Sequence, residues 1–288
     1  TGQLVSFFGS MMTFIVVPWQ MYQLTGSSAM VGYIYLAEFV PMVILAFVGG
    51  AMADFFDKRK LLRVTEIGQT TVTAILLVNA LLPQPQVWVL FVAVALHAGL
   101  AAIQRPAFES FIQKVIPVEM MSAVMALNSI RYSLGAIVSP ALAGIIATQF
   151  SSSIAYAFDL LTFIASLIAV FMIRAVPPPA NAEKPSFQSI KRAWKYAFSR
   201  QELVGTYFID IAAMFFAMPQ ALYPALAVIY GEKYVGFFPA AIAAGALVAS
   251  LTSGWTRNIN RHGLLVTIAA VLWGVAIMFF GLVDSIVP

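Results

Sequence analysis

Gly50-Ala51-Met52-Ala53-Asp54-Phe55-Phe56-Asp57-Lys58-Arg59-Lys60-Leu61-Leu62 ends one long apolar stretch and opens the next. A charged turn between two such stretches reads as the loop joining two membrane-spanning helices. Each crossing needs roughly 20 apolar residues for about 30 Å of hydrocarbon. A helix suits the crossing because it satisfies its backbone N–H and C=O groups within the segment. A β-barrel would show short alternating segments instead. Working outward from the loop, the same pattern recurs and predicts nine spans, at about 3–24, 28–55, 61–82, 86–104, 119–148, 152–174, 202–230, 236–255 and 263–286.

Composition agrees. Of 288 residues, 61% are hydrophobic and 10% charged, with a mean hydropathy of +0.90. Soluble domains carry about 25% charged residues, so most of this surface must face lipid. With no cysteine, thiolate metal sites are excluded. The formal charge of +4 does not indicate nucleic acid, because the basic residues sit in short loops between spans.

Their placement sets topology. Lys58, Arg59, Lys60 and Arg63 lie between spans 2 and 3, and Arg105 and Lys114 between 4 and 5. Arg174 through Arg200 lie between spans 6 and 7, and Arg257 and Arg261 between 8 and 9. The alternate loops, Thr25-Gly26-Ser27-Ser28, Pro83-Gln84-Pro85-Gln86 and Ser151-Ser152-Ser153, carry no charge. Only Lys233 breaks the alternation, and Arg131 lies within a span. The positive-inside rule then puts the N-terminus in the cytoplasm.

Residues 175–201 form the one long polar interruption, opening on Val176-Pro177-Pro178-Pro179 and continuing with Lys184, Lys191, Arg192, Trp194 and Lys195. The prolines end span 6, and the basic stretch reads equally as an interfacial helix or a solvated linker. It separates a six-span bundle (1–174) from three further spans (202–288). Gly254-Trp255-Thr256-Arg257-Asn258-Ile259-Asn260-Arg261-His262-Gly263-Leu264-Leu265 repeats the opening stretch, with a glycine at the helix end, a basic turn and a Leu-Leu restart six spans later. Same-direction halves are one of the transporter repeat layouts.

The opening stretch resembles the signature loop of the major facilitator superfamily, Gly-x3-Asp-(Arg/Lys)-x-Gly-(Arg/Lys)-(Arg/Lys), with Phe55 in place of a basic residue and Asp57 in place of a glycine. Arg105-Pro106-Ala107, Ala126-Leu127-Asn128-Ser129 and Asp210-x3-Met214-Phe215-Phe216-x-Met218-Pro219 are similar to the branch of enterobactin exporters and macrolide efflux pumps. The resemblance implies an all-α bundle of twelve spans working by alternating access. It also implies that the loop (Gly50, Asp54, Asp57, Lys58, Arg59, Lys60) latches a cytoplasmic gate against span 11. Gly50 is expected to permit close helix approach. Gly135-x3-Ser139-Pro140-x3-Gly144 is similar to the antiporter packing motif, with small residues for backbone contact and a proline kink. Span 4, Leu96-His97-Ala98-Gly99, lacks the arginine of many proton-coupled relatives, and its lone His97 reads as a packing residue.

A charge at mid-bilayer costs at least about 2.5–3.5 kcal/mol, so it needs a partner or a wet cavity. Glu38, Arg131, Asp159 and Asp210 stand out. The superfamily fold borders its cavity with spans 1, 2, 4, 5, 7 and 8, which implies Glu38, Arg131 and Asp210 as proton-coupling candidates and leaves Asp159 peripheral. A static buried pair is the rival reading. Trp19, Gln23, Tyr35, Asn128, Tyr132, Met218 and Gln220 are the substrate-cavity candidates. Such a lining suits an amphipathic organic compound.

No Gly-x4-Gly-Lys-(Ser/Thr), His-Glu-x2-His or Gly-x-Ser-x-Gly motif occurs in the chain. That argues against ATP-driven transport and intramembrane enzymes, and no metal or cofactor is expected. The expected protein is a proton-coupled exporter of siderophores or drugs in a bacterial inner membrane, monomeric when complete. An uptake carrier of the same fold and a membrane receptor or scaffold are the alternatives. Three spans after the linker, where the repeat implies six, suggest a truncated form.

Overall fold

Asp57 shows how the sequence sets a helix boundary. Its carboxylate accepts hydrogen bonds from the backbone N–H groups of Arg59 (2.8 Å) and Lys60 (3.2 Å). It thereby caps α3 (Lys58–Leu81) immediately after α2 (Ser28–Phe55) ends. Capping satisfies donors that a helix start leaves unpaired. A computed structural model of the chain describes residues 2–172, 198–252 and 262–282. Most of the 175–201 linker and of the repeat near Arg257 lies outside the described residues, as do the side chains of Asp54 and Arg131.

The described residues form helices and turns: α1 (Gly2–Thr25), α2, α3, α4 (Val87–Val115), α5 (Met121–Gln149), α6 (Ser152–Phe171), α7 (Gln201–Ala217), α8 (Tyr223–Tyr230), α9 (Phe237–Thr252) and α10 (His262–Leu282). Short 3-10 turns cover Val118–Met120, Gln220–Leu222 and Glu232–Val235. By length and composition, eight segments can cross a membrane. The ninth expected span is α1, a 24-residue helix that carries Ser6, Ser10, Thr13, Gln20 and Gln23. Its polar residues are tolerated because α1 packs against α2, α5 and α6 inside the bundle.

Two sequence boundaries shift. Span 4 continues to Val115 instead of ending near residue 104, because Ala107, Phe108 and Phe111 pack into the second apolar cluster, with Arg105 and Glu109 paired on the exposed face (3.3 Å) and Pro106 accommodated within the helix. Span 7 breaks between α7 and α8 at Met218–Pro219. Proline there has no N–H to give and its ring crowds the preceding turn.

Helix pairs α2–α4, α1–α6, α3–α4, α3–α6 and α1–α5 build the first bundle. One apolar cluster centres on Met12, Val16, Trp19 and Met21 of α1, with Val31, Leu76, Leu90 and Tyr156 from its neighbours. A second, at the basic end, joins Ala53, Leu61, Leu62, Ala107 and Val170. At that end the Arg63 guanidinium donates to the Phe171 carbonyl (2.6 Å) and lies over the Phe171 ring, capping α6 with a cation where the helix dipole favours one.

Candidate functional site

The first bundle meets the later helices through α1 on α8, α2 on the 220–222 turn, and α5 on the 232–235 turn and α9. These elements adjoin the uncharged loops, at the far end from Lys58 and Arg63. The tightest point is glycine on glycine. A Cβ on Gly144 would lie 2.6 Å from the Gly236 nitrogen, and one on Gly236 would strike the Pro140 carbonyl oxygen. The antiporter-like motif thus supplies backbone contact here. Its Gly135 instead receives the Phe7 ring of α1, and Ser139 is fully buried, its hydroxyl without a hydrogen-bond partner.

Beside this contact lies an aromatic group drawn from five helices. Phe14 meets Tyr35 edge-on (5.9 Å), Tyr223 stacks on Phe238 (5.3 Å), and Phe238 meets Phe280 (6.1 Å). Tyr35 lies within electrostatic range of both Glu38 and Tyr223. Glu38 itself is half-buried on α2, and among the described residues it has no ion pair. A carboxylate close to Tyr35 can engage a cation, a proton or a polar group on an otherwise apolar substrate.

A match to the family described as transmembrane secretion effector spans residues 1–287. The chain belongs to that family. It is a family of the major facilitator superfamily, made of transporters and not of enzymes. The chain is 27% identical over 274 residues to the enterobactin exporter EntS of Citrobacter koseri, covering 93% of this chain and 65% of that protein. It is 26% identical, with the same coverage, to the enterobactin exporters of Escherichia coli O1:K1 and Shigella boydii serotype 18. The chain therefore spans about 65% of the length of these curated relatives.

Within this secretion-effector chain the structure sorts the expected site residues. Tyr35 and Glu38 join the aromatic group, and Met218 and Gln220 lie half-buried at the α7–α8 break, whose turn packs on α2. Tyr132 is exposed on α5 and touches the Phe7 ring (5.6 Å), with Asn128 one turn away and half-buried. Trp19 lies elsewhere: it is 0% exposed in the α1 core. Gln23 lines a depression at the far end with Gln20, Phe150 and Ser151 to Ser153. Asp210 is exposed on α7, and any pairing of Arg131 or Asp54 lies outside the described side chains.

The signature loop needs one correction. The close approach belongs to Gly49, where a Cβ would come 2.6 Å from the Ala102 carbonyl oxygen of α4, while a Cβ on Gly50 meets nothing within 4 Å. One position is about 100° of helix rotation, and only packing decides which glycine faces the neighbour. Asp57, the departure from the signature glycine, works as the α3 cap. Sequence reasoning also passed over Glu66. It is 1% exposed and lies eight residues into α3, about 12 Å from the helix start. A carboxyl at that depth is itself a signal, hidden by its closeness to the basic loop.

Proposed function

We propose that this protein is a secondary active exporter of amphipathic organic compounds, siderophores or macrolides, coupled to protons and working by alternating access in a bacterial cytoplasmic membrane. The observation that carries the reading is the far-end closure between Gly144 and Gly236, in a chain of a transporter family, with the aromatic group beside it and Glu38 about one turn along α2 from Tyr35. With Lys58 to Arg63 on the cytoplasmic side, closure at the far end corresponds to the inward-facing state, ready to load from the cytoplasm. Residues 1–174 and the helices from 202 onward act as two bodies joined by the 175–201 linker. Gly50, whose face is open in this state, is placed for the approach that closes the cytoplasmic side. Glu38 or Asp210 takes up the proton, and Arg131 is the charge that responds.

The test uses the complete reading frame in a bacterial strain lacking its own exporters. Intracellular retention of a catecholate siderophore and of a macrolide is measured with and without a protonophore. Lower retention that the protonophore reverses is the expected result. A membrane-inserted protein that moves none of the compounds would favour a scaffold. Full pH-driven transport by both Glu38→Gln and Asp210→Asn would remove the coupling assignment.

A further inference from the structure

A second set of buried polar residues stands apart from the aromatic group. It forms a seam where α1, α3, α4 and α6 meet. The buried face of α6 carries Tyr156, Asp159, Thr162 and Ser166, and that of α3 carries Glu66, Gln69 and Thr73. Both follow helical spacing, so each set lines one side.

Asp159 is 0% exposed. The Thr13 hydroxyl of α1 donates to its Oδ2. The Thr162 hydroxyl donates to the Asp159 backbone carbonyl (2.7 Å) and lies 3.4 Å from Oδ1. Gly9 of α1 leaves the room for this arrangement, since a Cβ there would strike both Thr162 Oγ1 and Asp159 Oδ1. From α3, Thr73 lies against Asp159 with its Oγ1 buried and without a hydrogen-bond partner. About 10 Å nearer the basic end, Ser166 sits beside Glu66. Gln104 of α4 donates to Glu66 Oε2 (2.5 Å), while Glu66 Oε1, Gln69 Oε1 and Ser166 Oγ are buried and unpartnered.

Among the described side chains, the other titratable groups of α4 and α6 beside the seam are His97, edge-on to Phe163, and Tyr156, whose hydroxyl donates to Gln20 (2.8 Å). The helix α1 brings hydroxyls and amides only. Among the described residues neither Asp159 nor Glu66 has an ion pair. A buried carboxylate without a counter-charge is strongly disfavoured, and the hydroxyls of Thr13, Thr73 and Thr162 gather oxygen lone pairs around this one.

We propose that this seam is a binding site for a small monovalent cation, Na⁺ or H⁺, held by the Asp159 carboxylate and the hydroxyl oxygens of Thr13, Thr73 and Thr162. An all-oxygen set suits a hard cation. One carboxylate balances one charge, and Glu66 is too far along the helices to share a divalent ion. Each threonine donates its single proton at most once and keeps lone pairs for the cation. Glu66, Gln69 and Ser166 continue the polar seam toward the basic end. The site lies apart from Glu38, so it binds its cation whether or not the protein exports.

The experiment uses the purified full-length protein in detergent, in sodium chloride or choline chloride at constant ionic strength and at two pH values. Thermal midpoint and radiolabelled sodium binding are both read. Sodium is expected to raise the wild-type midpoint, Asp159→Asn to abolish that response, and Thr73→Val to weaken sodium binding at least about tenfold. Thr73→Val keeps the side-chain shape, so it reports even where Asp159→Asn fails to fold. A midpoint that ignores sodium but follows pH, with the pH response lost in the same variants, identifies the cation as a proton. A wild type indifferent to both cations overturns the proposal. So does a folded Thr73→Val that responds to sodium and pH as the wild type does.

Discussion

Substituting Gly236 by alanine loads one contact in one conformational state. The new Cβ would lie 2.7 Å from the Pro140 carbonyl carbon and 2.9 Å from the Gly144 nitrogen, and closer still to the Pro140 oxygen. All of these atoms are backbone, so no side-chain rotation relieves the clash. Overpacking of this kind costs about 1–3 kcal/mol. The cost falls on the state in which the far ends touch, because a state with separated ends has nothing for the methyl group to strike. In a two-state equilibrium that shifts the population toward separation by about 5- to 150-fold. The chain contains no cysteine, so Gln220→Cys supplies a single thiol on the turn packed against α2. Its labelling by a membrane-impermeant thiol reagent, added outside intact cells, should accelerate in the Gly236→Ala background. Gly245→Ala is the control, since a Cβ there meets nothing within 4 Å. An unchanged labelling rate in a normally inserted Gly236→Ala protein would refute the reasoning, as would an equal acceleration by Gly245→Ala.

Two further substitutions address stability, read as thermal unfolding in detergent. Asp57→Ala removes the α3 cap and should cost about 1 kcal/mol, whereas Asp57→Gly should cost only a few tenths; equal losses would mean that the cap is not what Asp57 contributes. Asn79, 3% exposed, holds the turn before α4 by accepting from the Gln86 N–H (2.8 Å) and donating to its carbonyl (3.2 Å). Asn79→Ala should cost about 1 kcal/mol, because water can reach the freed Gln86 groups. Asn79→Asp, which keeps the acceptor, should fall between, and an Ala variant as stable as wild type would show that the clip is incidental.

Particular elements show why some features were legible and others were not. The ends of α2 and α5 fell within a few residues of the expected spans, because apolar length is a local property of the chain. The end of α4 did not: Arg105, Glu109 and Lys114 look like a loop in sequence, yet Ala107, Phe108 and Phe111 between them pack into the second apolar cluster and continue the helix. The α7–α8 break could have been read from Pro219 but was absorbed into one long apolar run. Tyr35 and Glu38, singled out by their chemistry, lie close to one another on α2. Trp19 was misplaced because an aromatic residue on a cavity-bordering helix can as well face inward, and α1 turns it into the core.

By itself, then, the sequence determined a helical membrane protein, its alternating loops and, from the stretch Gly50 to Leu62 outward, its family resemblance. Transfer of apolar length into lipid and the side preference of Lys and Arg depend on residues taken in order. Only the tertiary structure decided that Gly49 and not Gly50 touches α4, that Gly144 meets Gly236, and that Asp159 and Glu66 share a seam apart from Glu38. Those outcomes depend on the rotation and depth of each helix against its neighbours, which packing sets among helices far apart in sequence.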